Sequence, residues 1–120
     1  PDIVCRRREL AARYHAKLAI IPGLGLPREP EWARSNWQSY CIRLPDGIEQ
    51  KAAMQALLDK GISTRRGVMC SHREAPYANL PRQGSLVQSE SAQDRCIVIP
   101  LYSQMSEDEQ DYIVEAMAAL

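Results

Sequence analysis

Leu10, Tyr14, Leu18 and Ile21 recur at spacings of four, four and three, with Ile3 one heptad before Leu10 on the same face. This period is helical and predicts an amphipathic helix that stops before Pro22, because proline cannot continue the backbone hydrogen bonding. "PGLGLPREPEW" then brings three prolines and two glycines, a composition suited to an irregular connection over the surface. Between Asn36 and Leu44 the period falls to two. Tyr40, Ile42 and Leu44 share one face of a run rich in aromatic and branched residues, which predicts a strand ended by Pro45.

Asp46 followed by Glu49 reads as an Asp form of the capping box and predicts a helix opening at Gly47 or Ile48. Ala53, Met54, Leu57 and Leu58 mark its buried stripe, and Gly61 is placed to close it in the left-handed conformation. "ISTRR" has the β-branched character of a short strand and is followed by a loop from Gly67 through Pro81. "SLVQSESAQDR" predicts a short helix that carries Leu86 and Val87 inward. "CIVIP", Cys96 to Pro100, is apolar without alternation, which predicts a strand covered on both faces. Ser106 and Glu109 form a second capping box ahead of an acidic first turn, where the helix dipole favours negative charge. Ile113, Ala116, Met117 and Leu120 then face one side. The sum is an α/β (α+β) sandwich with a small sheet of about three short strands and helices packed mainly on one face.

Length and charge narrow the functions open to such a fold. One domain accounts for 120 residues. Lysines plus arginines and aspartates plus glutamates number 15 each, so no net field draws the chain to nucleic acid or to an anionic membrane. "CRRREL" therefore reads as a solvated helix face. No apolar run has the length of a membrane span and the start lacks a signal-peptide pattern, which predicts a cytoplasmic protein. The chain opens on Pro1 and enters a helical pattern at once. It reads as a piece of a longer protein, whose missing part would leave apolar surface exposed along the first helix.

Candidate chemistry concentrates in "GISTRRGVMCSH" and the loop beyond it. Cys70 and His72 suggest zinc, but structural zinc needs four ligands in close-spaced pairs, and no second pair exists. Cys5, Cys41, Cys70 and Cys96 form no C-x-x-C pair and read as free thiols. A Cys70 nucleophile would need His72 as its base and an acid to orient it, and no spacing supplies one. His15, beside Tyr14, reads as a half-exposed structural residue. "GLGLP" runs into proline and charge instead of opening a helix, so it is no phosphate loop. Arg65 and Arg66 remain, at a strand end, with His72 and Tyr77 in the following loop. A guanidinium fork suits a carboxylate or phosphate, and loops at strand ends carry many binding residues. The competing reading is a surface salt bridge, worth little.

"RRRELAARYHAKL", "YCIRLP", "LLDKGISTRRG", "SHREAPY" and "CIVIPLYSQMSEDEQDYIVEAM" together resemble the C-terminal small domain of the DegT/DnrJ/StrS sugar aminotransferases, from about Arg6 to Leu120. The resemblance implies a pyridoxal-phosphate-dependent enzyme of the fold-type-I class, working as a homodimer on a nucleotide-linked keto sugar with glutamate as amino donor. In that family the cofactor-binding lysine belongs to the large N-terminal domain, and Lys17, Lys51 and Lys60 match no such motif. The expectation is therefore a small domain lacking catalytic residues and metal, inactive alone, with no cofactor bound to it. The resemblance implies substrate binding by Arg65 first, then His72 and Tyr77, and leaves the roles of Arg66 and Cys70 open. A stand-alone ligand-binding or regulatory module of the same fold is the alternative. An anion-binding adaptor built on the first helix is a third reading.

Overall fold

The computed structural model describes residues 2–120. Four helices and three strands follow one another as α1 (Asp2–Leu18), β1 (Tyr40–Arg43), α2 (Gln50–Asp59), β2 (Arg65–Arg66), α3 (Val87–Arg95), β3 (Cys96–Ile99) and α4 (Glu107–Ala118), with a 3-10 turn at Ser71–Arg73. The sheet is antiparallel throughout, in the order β1-β3-β2. Cys41 pairs with Val98, which pairs on its other side with Arg65; Ile42 pairs with Ile97, which pairs with Arg66. Partners across an antiparallel ladder share a face, so this register assigns each side chain to a side of the sheet.

The inner face carries the core. Tyr40, Ile42, Leu44, Ile97 and Ile99 pack with Leu10, Tyr14 and Leu18 of α1, Leu57 of α2 and Ile113 and Met117 of α4. The aromatic rings of Tyr14 and Tyr40 meet at 5.3 Å, and the Tyr14 hydroxyl donates to the Pro100 carbonyl at 2.9 Å, which satisfies the polar end of a fully buried side chain. Burial raises both phenols well above their ordinary range, Tyr40 to about 12. Gln110, also fully buried, donates to the Leu10 carbonyl at 3.0 Å and ties α4 to α1.

Several boundaries differ from those the sequence predicts. The first helix ends at Leu18, short of the predicted end just before Pro22, because Ile21 and Leu24 turn back in three-residue hydrogen-bonded steps; Ile3 is exposed. The first strand begins at Tyr40, four residues late, since Ser35 and Asn36 bond the following backbone N–H groups with their side chains. The second helix opens at Gln50, capped by Glu49, whose carboxylate accepts from the Ala52 N–H at 2.6 Å. Asp46 is no cap. Gly47 behind it adopts φ of 87°, which breaks the helix before it starts, and Asp46 pairs with Arg95 instead. On α3, Val87 is exposed and Leu86 half-buried, while Gln93 faces inward. The third strand alternates after all: Ile97 and Ile99 are buried and Cys96 and Val98 half-buried, because helices cover one side of the sheet only. Gly61 closes α2 at φ of 76° and the Ser106–Glu109 capping box opens α4, both as the sequence predicts.

One ion cluster joins the terminal helices. Asp111 of α4 accepts from Arg13 at 2.7 and 3.0 Å and from Lys17 at 2.6 Å, both on α1. Hydrogen bonds from these two cations hold its carboxyl at about 2, below the usual 3.8. A carboxyl with a lower pKa in the folded state contributes stability above its unfolded pKa and loses it as pH falls through the folded value. Stability is therefore expected to decline between pH 3.8 and about 2, and Asp111→Asn should remove that limb. Urea midpoints across this range check it; equal acid slopes in both proteins would contradict it.

Candidate functional site

The outer face of the sheet is the side that the helices leave open, and β2 sends one arginine to each side. Arg65, in register with Val98, lies on the open face; Arg66, in register with Ile97, lies on the helix side at the sheet edge. A groove of about 550 Å³ lies where β3 ends and β1 and β2 begin, lined by Val98, Ile99, Pro100 and Leu101, with Arg65 and Ser63 on the β2 side and Gln38 and Ser39 on the β1 side. Arg66 also reaches it, and lines a second depression with Arg73, Gln93 and Asp94.

The charge state of the groove follows from pairing. Arg6, Arg13, Arg73, Arg82 and Arg95 each have a carboxylate partner. Among the described residues Arg65 and Arg66 have none. The salt-bridge reading of Arg65 thus finds no support, and its guanidinium, charged at every working pH, faces the groove with its donors unspent.

His72 and Tyr77 are placed elsewhere. His72, in the 3-10 turn, bonds Glu90 of α3 through Nε2 at 2.8 Å. Around it Arg73 grips Asp94 with two bonds of 2.5 and 3.0 Å, Arg82 donates to the His72 carbonyl at 3.3 Å, and the Cys70 thiol donates to the Ser89 carbonyl at 3.3 Å. These contacts pin the loop onto α3. Tyr77 is half-exposed further along the same loop. Neither residue lines the groove that holds Arg65. Cys70, buried and hydrogen-bonded, has a structural position, and His15 meets the Tyr40 hydroxyl at 3.4 Å.

Gln38 and Ser39 were not legible as groove residues, since the groove forms only where the start of β1 meets the end of β3, far along the chain. A second feature of the open face also escapes the sequence. Gly67 leaves the sheet beside Cys41 and Cys96, and a Cβ there would collide with the Cys41 sulfur. Burial, then the neighbouring Cys96, pushes the Cys41 thiol up to about 11, so it stays protonated and a poor nucleophile at neutral pH. All four cysteines are free. No group of three metal-binding side chains occurs among the described residues, nor any helix long and apolar enough to cross a membrane.

The sequence matches the model of the DegT/DnrJ/EryC1/StrS aminotransferase family over residues 1–118. The chain belongs to that family. Its fold is shared by solved members and relatives. It is similar to the aminotransferase TlmJ from Streptoalloteichus hindustanus (28% identity, TM-score 0.86, covering 99% of this chain and 32% of that one). It is similar also to a DegT DnrJ EryC1 StrS aminotransferase from Brucella abortus (26%, 0.84, 98% and 31%). A third is S. venezuelae DesV, solved in complex with a ketimine intermediate (25%, 0.85, 98% and 31%). The chain spans about a third of the length of these proteins.

Family members depend on pyridoxal phosphate, which gives a chemical test of the groove. That cofactor is held covalently through a lysine amine, and the groove lining contains no lysine; Lys17 is engaged with Asp111. The groove does not fit the cofactor. The exposed side chains of α1 are Ile3 and otherwise polar or small ones, not the apolar stripe that the sequence predicts.

Proposed function

We propose that this chain is the substrate-side domain of a pyridoxal-phosphate-dependent aminotransferase acting on a nucleotide-linked keto sugar, with glutamate as amino donor. The rest of the enzyme would be the large N-terminal domain of the same polypeptide, carrying the cofactor and its lysine, and the whole would be a cytoplasmic homodimer. Bound pyridoxal phosphate supplies the electron sink that amino-group transfer needs. This chain's share is recognition. The observation that carries the reading is Arg65, an unpaired guanidinium in a polar groove where β3 ends and β1 and β2 begin.

An anionic group of the substrate, a phosphate of the nucleotide or the donor carboxylate, is the natural partner for that fork. His72 and Tyr77 are proposed as secondary contacts. In the arrangement described, His72 would have to exchange Glu90 for substrate, so its contribution depends on the loop leaving α3. With the catalytic lysine outside these residues, the 120-residue chain alone would be inactive and would hold no cofactor. Borohydride reduction in the presence of pyridoxal phosphate tests this: the full-length protein should yield one modified lysine outside this domain. A single specific adduct on Lys17, Lys51 or Lys60 would overturn the assignment.

A further inference from the structure

Trp37 is the one non-glycine residue with positive φ among the described residues, at 50°. A bulky side chain in that conformation is strained, and such strain persists only where surrounding contacts fix it. Here they are numerous. The Trp37 N–H donates to the Ser35 hydroxyl at 3.0 Å and the Gln38 N–H to the Asn36 side chain at 3.1 Å. From α1, Arg8 donates to the Ser35 carbonyl at 3.0 Å and Arg7 to the Gln38 carbonyl at 3.2 Å. The Trp37 ring stacks on Tyr40, 5.6 Å between centroids. Arg7 makes its contact at a cost, since its Nε is buried without a partner.

The result of this bracing lies in the groove. Gln38 and Ser39, at a bend just before β1, both line the groove. The chain bends between Trp37 and β1, and the two residues are delivered together to the side of β3 opposite Arg65. We propose that the Trp37 turn is a positioning device that fixes Gln38 on the groove wall, where its amide is a second substrate-recognition group. An amide both donates and accepts, so it suits the hydroxyl groups of a sugar ring whose anionic neighbour is held by Arg65. This rests on the groove being the substrate site.

The test uses the full-length enzyme and the nucleotide-linked keto sugar as varied substrate. Gln38→Ala removes an exposed side chain and should raise KM for the sugar by up to about tenfold, the worth of one neutral hydrogen bond, with kcat unchanged. Trp37→Ala should raise KM by the same factor, Trp37→Phe should restore it, and the double variant should be no worse than either single one. A merely structural role for Trp37 would lower the melting temperature without moving KM. The proposal is overturned if Gln38→Ala leaves KM unchanged, or if the two effects multiply. Arg65→Ala in the same assay separates the layers: a raised KM there with no effect at Gln38 sinks this inference alone, while no effect at either sinks the groove reading too.

Discussion

Arg65→Ala in the full-length enzyme is expected to raise KM for the substrate whose anionic group it binds by between about tenfold and a hundredfold, the loss of a charge-assisted hydrogen bond. The sign follows from the absence of a competing carboxylate: among the described residues none already spends the guanidinium's donors, so its contribution goes to the ligand. Measuring KM for the nucleotide sugar and for glutamate separately shows which substrate it reads. Arg65→Lys keeps the charge without the planar fork and should recover only part of the loss. Unchanged kinetics for both substrates in Arg65→Ala would end the assignment.

Ile97→Ala is expected to cost about 2–5 kcal/mol of folding stability in the 120-residue chain. Ile97 is fully buried in the central strand, in register with Ile42, and its loss removes apolar contact while leaving a cavity that neighbours on two strands and the helices cannot fill without moving. Val98, one residue on, points to the open face and is half-buried. Val98→Ala should therefore cost distinctly less, and urea unfolding of the two variants makes the comparison. Equal losses would mean that the two faces of the sheet are not divided as the register indicates.

How far such behaviour was readable in advance depends on the range of the interactions involved. The helical stripe of Leu10, Tyr14 and Leu18, the alternation of Tyr40, Ile42 and Leu44, the left-handed Gly61 and the Ser106–Glu109 box all rest on contacts within a few residues, and all appear as read. Where local signals competed, the sequence could not rank them. Asp46 with Glu49 reads as a capping box, yet Glu49 itself caps the helix, because Gly47 takes a positive φ and Asp46 pairs with Arg95, which is close only in the folded chain. The unalternating "CIVI" run gave no hint of which face the helices would leave open.

The site divides along the same line. The sequence by itself determined the element order, the character of the core and, through its motifs, the family to which the chain belongs. Only the tertiary structure decided that Arg65 and Arg66 go to opposite sides of the sheet, that His72 is engaged with Glu90, and that Gln38 and Ser39 share a groove with Arg65. Each of these depends on strand register or on pairing between residues far apart in the chain, and a shift of one position in register would send every side chain of a strand to the other face.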